Sequence, residues 1–180
     1  MAHKEQKDFC LKVKQKYPEY FLNKNVLDVG SLDINGNNRY LFENCSYCGI
    51  DVGEGNNVDI VCKGHEFNIA DETYDVIIST ECFEHDMYYN KTILNIIRML
   101  KSNGLFLFTC ASENRPEHGT RRTSQQDAPL LINYGDWFDY YKNLTEQDIR
   151  NCINIDSIFK EYNFETNNQS FDLYFCGIKF

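Results

Sequence analysis

Apolar runs of five or six residues, separated by helical or turn-rich stretches, fill the first 110 residues of this chain. Buried parallel strands alternating with helices produce that pattern. A helix over about residues 5–20, which Pro18 helps to end, precedes a first strand at Asn25-Val-Leu-Asp-Val-Gly30. A second strand, around Tyr47-Cys-Gly-Ile-Asp51, stops at an acidic residue. Residues 58–62 fit a third strand and residues 74–80 a fourth, both expected in the interior of the sheet. Ile93, Ile96, Ile97 and Leu100 then recur at steps of three and four, an amphipathic helix for which Asn103-Gly104 supplies the stop. Residues 105–110 read as a fifth strand.

From residue 111 to about 143 the pattern breaks. Pro116, Gly119, Pro129 and Gly135 sit among polar residues, so a long irregular connection is expected, and such segments inside compact domains are usually functional. Thr145-Glu-Gln-Asp148 has the spacing of a capped helix start. Two final strands, near residues 158–167 and 171–179, flank Asn167-Asn-Gln-Ser170 and are expected to form an antiparallel hairpin. One domain over residues 1–180 follows, with an N-terminal helical segment at 1–22 and a loop-rich insertion at 111–143 expected to lie over a ligand site.

Composition narrows the function. Against 27 Asp+Glu stand 18 Lys+Arg, a formal charge of −9, which argues against a nonspecific nucleic-acid binder. With 42% hydrophobic residues the chain has material for a core, so disorder is not expected. Neither an apolar stretch of membrane-spanning length nor a charged start leading into an apolar run is present, and the expectation is a cytoplasmic protein with no membrane partner. Among the eight cysteines only Cys45-Ser-Tyr-Cys48 has ligand spacing, and no second pair completes a zinc set, so reduced thiols and no metal are expected.

Open parallel sheets bind ligands beyond the carboxyl ends of their strands. Here Asp28 and Gly30 close the first strand, Asp51 the second, Cys62-Lys-Gly64 the third and Thr80-Glu-Cys-Phe-Glu-His85 the fourth. Asp51 lies 21 residues after Gly30, near the interval expected of a carboxylate that holds ribose hydroxyls. Between Gly30 and Gly36 there is no G-x-G-x-x-G, so a pyrophosphate cradle is missing and a ribose ligand without a diphosphate is favoured.

These residues resemble the class I S-adenosylmethionine-dependent methyltransferases of the small single-domain type. Val26-Leu-Asp-Val-Gly30 is similar to the family's first motif and Gly49-Ile-Asp-Val52 to its acidic second strand. Residues 74–85 resemble its fourth strand with a trailing Glu/His pair, and residues 99–108 the approach to its fifth. The resemblance covers about residues 24–110. It implies an α/β, Rossmann-like fold, a seven-stranded mostly parallel sheet in the order 3-2-1-4-5-7-6 with helices on both faces. It also implies S-adenosyl-L-methionine as cofactor and S-adenosyl-L-homocysteine as product. By matching position, Gly30 and Ser31 line the methionine part, Asp51 binds the ribose, Val52 flanks the adenine, and Asp28 is a further cofactor-binding residue. Lys63, Gly64 and His65 align with the adenine-side loop, and Thr80 and Glu81 lie beside the sulfonium. Two departures stand out: the usual G-x-G is Gly30-Ser-Leu32, and Lys63 replaces an acidic residue.

Methyl transfer needs alignment and exclusion of water more than it needs a base. Where the acceptor carries a proton, His85 is the first candidate to take it, with Glu81 or Glu84 as orienting or alternative groups. The competing reading of E-x-x-E-H is a helix start that favours acids. On the long connection, Arg115, His118, Arg121 and Arg122 are candidates for holding acceptor oxygens, against an exposed loop paired with the chain's own carboxylates. Tyr134, Trp137, Phe138, Tyr140 and Tyr141 are either a ligand wall or core. The expected acceptor is a small molecule, methylated on O or N, with a sugar or sugar nucleotide of glycan biosynthesis as the first guess from a loose resemblance. A noncatalytic nucleoside-binding domain and a nicotinamide-dependent oxidoreductase are the alternatives, and the sequence leaves the oligomeric state open.

Overall fold

A computed structural model describes residues 3–180. Helix α1 (Lys4–Lys16) leads into a 3-10 turn at Pro18–Phe21 and then strand β1 (Asn25–Val29). Strands β2 (Ser46–Asp51), β3 (Ile60–Val61) and β4 (Tyr74–Thr80) follow with no α-helix between them. Helix α2 (Tyr89–Met99) returns the chain to β5 (Leu100–Ala111). After an irregular segment come α3 (Glu146–Cys152), the short α4 (Ile155–Ile158), β6 (Phe159–Asn167) and β7 (Asp172–Lys179). All seven strands form one sheet in the order β3-β2-β1-β4-β5-β7-β6. Pairing is parallel from β3 through β5, and β7 runs antiparallel to both β5 and β6. The expected order and the terminal hairpin are both present.

Period-two alternation sorts the side chains onto two faces. Val26, Val76, Ile78, Leu105, Leu107 and Tyr174 pack under α1 with Phe9, Cys10 and Val13. Their neighbours Leu27, Val29, Ile77, Phe106, Phe108 and Phe175 point the other way, against Ile93, Ile96 and Met99 of α2, Ile149 of α3 and Ile155 of α4. Helices therefore cover both faces, but α1 stands alone on its side. The β1–β2 connection contributes only a 3-10 turn at Arg39–Leu41, whose Leu41 is fully buried.

Three expectations need correction. The first helix stops at Lys16, four residues short, because Pro18 opens a separate 3-10 turn. Asn103-Gly104 does not stop α2. That helix ends at Met99, since Leu100 already pairs with Tyr74, and Asn103 takes a positive φ of 62° within β5, at a register shift in the β4–β5 ladder. The third strand is not interior: it is a two-residue edge, with Ile60 43% and Val61 50% exposed. Short edge strands of this kind limit edge-to-edge pairing. All eight cysteines are free thiols.

Candidate active site

The carboxyl ends of β1, β2 and β4 open into one cleft, about 980 Å³ when the open solvent at its mouth is included. Of the residues singled out from sequence, Asp28, Gly30, Ser31, Asp51, Val52, Gly64, Thr80, Glu81 and His85 line it. The 127–137 segment folds across the cleft and adds Asp127, Pro129, Leu130, Leu131 and Trp137. Trp137 belongs to the aromatic group read from sequence as ligand wall or core; the other wall residues and Asn38, Cys82 and Asp86 were not anticipated. For Asp86, its place directly after E-x-x-E-H was the available signal.

Gly30 is required where it stands. Its φ is +79°, and a Cβ there would fall 2.4 Å from the Cys82 sulfur, so only glycine lets the β1 and β4 ends approach this closely. The following loop is tied by polar groups. Ser31 Oγ donates to the Asn57 carbonyl (3.0 Å), the Asn57 amide donates to the Ser31 carbonyl (2.7 Å), and Asp33 accepts from Gly36 N (2.6 Å) and Asn37 Nδ2 (2.7 Å). Asp51 accepts from Leu32 N at 3.0 Å and Val52 N at 2.7 Å, which fixes its carboxylate at the cleft wall. Burial raises its pKa, and those two N–H groups oppose the rise. Thr80 Oγ1 accepts from Asn38 Nδ2 at 3.0 Å, and Asp28 accepts from the Tyr47 hydroxyl. Burial pushes the Asp28 carboxyl up to about 6.

Past β4, Glu81 adopts a positive φ of 53°. Burial opposes its charge, but hydrogen bonds from His3 and Thr109 hold its carboxyl low. Glu84 is fully buried, and its pKa is pushed up by that burial first and by the Glu81 charge second. His85 is pushed down to about 3 by burial and then by His118, so its imidazole is neutral near pH 7. Asp86 accepts from Tyr88 N (2.8 Å) and Thr92 Oγ1 (2.5 Å), anchoring the start of α2.

Other candidates face elsewhere. Lys63 pairs with Glu66 at 3.0 Å outside the cleft, and His65 packs on Tyr88 and Trp137. Arg115 donates to Asp172 (2.9 Å) and to the Ser170 carbonyl. Arg121 donates to the Gly135 carbonyl (3.1 Å), and Arg122 to Glu117 and the Asp139 carbonyl, both at 2.8 Å. None of the three arginines lines the cleft. His118 lies beside His85, ring centroids 4.9 Å apart. Of the aromatic group, Trp137 lines the cleft and donates to the His85 carbonyl (2.6 Å), Tyr134 donates to the Val52 carbonyl (2.5 Å), and Phe138 is buried core.

A mostly parallel sheet with a carboxylate at the end of its second strand and a glycine after its first, both on one cleft, defines an α/β domain with a ligand site at its strand ends. A family model described as a methyltransferase domain matches residues 1–168. The chain belongs to this family, and the class I S-adenosylmethionine-dependent methyltransferase resemblance stands. No relative was found among curated protein sequences. Among solved structures, the chain is similar to phosphoethanolamine N-methyltransferase 2 of Haemonchus contortus in complex with S-adenosyl-L-methionine, at 14% identity and a TM-score of 0.63. That match covers 96% of this chain and 52% of the Haemonchus chain, so the present chain spans about half its length. It is also similar to the 1,6-didemethyltoxoflavin-N1-methyltransferase of Burkholderia thailandensis with bound S-adenosylhomocysteine (10% identity, TM-score 0.60, covering 99% and 92%). A third similar structure is a SAM-dependent methyltransferase from Aquifex aeolicus (14%, TM-score 0.62, covering 95% and 89%).

Proposed function

We propose that this chain binds S-adenosylmethionine and transfers its methyl group to an oxygen or nitrogen of a small acceptor. One observation carries the cofactor reading. Asp28, Asp51, Glu81, Asp86 and Asp127 line the cleft, and no Lys or Arg among the described residues does. Such a wall suits a ligand with a positive sulfonium and ammonium and disfavours a dinucleotide pyrophosphate. The residues fit the cofactor: Asp51 has acceptor capacity left for ribose hydroxyls, Gly30 and Ser31 face the methionine part, and Val52 with Leu130 and Leu131 offers apolar walls to the adenine.

When bound, S-adenosylmethionine supplies an electrophilic methyl group. The chain supplies position and dryness. Thr80 and Glu81 would flank the sulfonium end, Gly64 would border the adenine side, and the 127–137 segment covers the cleft. His85 stands at the same end, where a proton from the acceptor would be received, but the burial that lowers it to about 3 makes it a weak base there, with Glu84 beside it in sequence.

The cleft also limits the acceptor. Because Arg115, Arg121 and Arg122 are engaged with the chain's own carbonyls and carboxylates, an uncharged acceptor such as a sugar hydroxyl suits the site better than a sugar nucleotide diphosphate. Their place on the closing segment, with His118, keeps them candidates for the acceptor side.

Calorimetric titration with S-adenosylmethionine, S-adenosylhomocysteine and NADH tests the reading. Micromolar binding of both sulfur compounds, lost in Asp51→Ala and absent for NADH, is expected. Binding of NADH alone would point to the oxidoreductase, and cofactor binding with no methyl transfer to any acceptor to a noncatalytic domain.

A further inference from the structure

Two buried side chains, Glu84 and His85, and the half-buried His118 lack hydrogen-bond partners at the same place beside the cleft. Both carboxylate oxygens of Glu84, both ring nitrogens of His85 and Nε2 of His118 have none among the described residues. Each residue offers one of these atoms to a set lying within 4.8 Å of one another. Glu84 is fully buried and His85 is 7% exposed, so bulk water does not serve them. Buried polar groups are almost always hydrogen-bonded, and a converging trio of orphans calls for a common partner. Glu84 and the two neutral imidazoles each have a lone pair to give at this point, the donor arrangement that a shared cation needs.

From these contacts we infer that Glu84, His85 and His118 form a binding site for a divalent first-row metal ion. Two imidazole nitrogens and one carboxylate oxygen are a donor set for ions such as Mn²⁺, Fe²⁺, Co²⁺ or Zn²⁺ rather than for Ca²⁺. The supporting contacts are those of a built site. His118 Nδ1 lies 3.1 Å from the Pro116 carbonyl, a bond that places the proton on Nδ1 and leaves the Nε2 lone pair for the ion. Trp137 Nε1 holds the His85 backbone carbonyl at 2.6 Å. Tyr141 packs on both rings, at 5.5 Å from His85 and 5.1 Å from His118.

Gly119 makes the meeting possible: its φ is +67°, and a Cβ there would sit 2.6 Å from His85 Cε1. Glu84 and His85 follow β4 while His118 follows β5, so the site exists only once the segment after β5 has folded over the sheet. His118 thus acquires a role different from the anion-holding one its neighbouring arginines suggest.

Three protein ligands leave coordination positions open. Resting on the methyltransferase reading, the site faces the acceptor: His85 lines the cofactor cleft itself. An acceptor hydroxyl bound to the ion would lose its proton to solvent more readily. The acceptor oxygen then forms the new O–CH₃ bond as the S–CH₃ bond breaks, and the sulfonium leaves as a neutral thioether. His85 in this arrangement holds the ion rather than the proton.

The test uses the full chain, stripped with a chelator, and Mn²⁺ titration followed by electron paramagnetic resonance, since free thiols compete poorly for this harder ion. Uptake of one Mn²⁺ per chain is expected, weakened roughly tenfold or more in His118→Ala and in Glu84→Gln, by the scale on which lost coordination contacts act. Circular dichroism and S-adenosylhomocysteine binding report on folding and on the cofactor site. Both are expected to survive in His118→Ala, so a failed metal site and a failed methyltransferase reading give different results. Substoichiometric Mn²⁺ uptake, or full uptake unaffected by either substitution in folded protein, would overturn the assignment.

Discussion

Asp28 shows how a single buried carboxyl leaves a mark on the pH profile. Its folded pKa of about 6 lies above the unfolded value near 3.9, with burial as the main cause and the Tyr47 and Asn38 hydrogen bonds opposing it. The folded state therefore binds the proton more tightly, and its contribution is present below about pH 4 and lost as pH rises through about 6. Asp28→Asn should remove that loss. Urea midpoints measured from pH 4 to 7 should decline less steeply in the variant, and parallel profiles would show that Asp28 is not the titrating group. The same residue illustrates what was legible beforehand. Asp28, Gly30, Asp51 and His85 could be placed because a strand's end and a fixed interval locate them. Lys63 and His65 were aligned just as well, yet Lys63 turns to Glu66 and His65 to Tyr88 and Trp137. Position in a motif gives the Cα, whereas the side chain goes where its nearest partner lies.

Elements with local signals were the readable ones. Thr145-Glu-Gln-Asp148 forms a reciprocal cap, Thr145 Oγ1 accepting from Asp148 N (3.2 Å) and Asp148 Oδ2 accepting from Thr145 N (2.9 Å). Thr145→Ala should cost about 1 kcal/mol in unfolding free energy, read by chemical denaturation, and an unchanged midpoint would mean that Lys142–Asp148 pairing carries the helix start instead. The elements misplaced in advance were those set by pairing partners far away in sequence. Tyr74 captured Leu100 into β5 before the glycine at 104 could end the helix. The wall formed by Pro129, Leu130 and Leu131 was equally hidden, because three short 3-10 turns have no periodicity to display it.

At the scale of the whole molecule, charge is the dominant property. A net −9 surrounds a cleft lined with five carboxylates and no lysine or arginine among the described residues. S-adenosylmethionine carries one more positive charge than S-adenosylhomocysteine, so its affinity should fall more steeply with added salt as screening shortens from about 30 Å at 0.01 M to about 3 Å at 1 M. Titrations of both compounds across that range check this, and equal slopes would show that the carboxylates do not act on the sulfonium.

No helix among the described residues is long and apolar enough to cross a membrane. The uneven cover of the sheet has a consequence of its own. On one side of β1 lie strands buried under α2, α3 and α1, while on the other β2 lends Ile50 to the core, β3 is a two-residue edge, and the loops at 31–38 and 53–57 are held largely by side-chain amides, carboxylates and the guanidinium of Arg39. Such a half opens more readily than the rest of the fold. Ligand that binds only the closed form would then act as mortar for that half, so the lifetime of the folded chain against proteolysis becomes tied to the supply of what it binds.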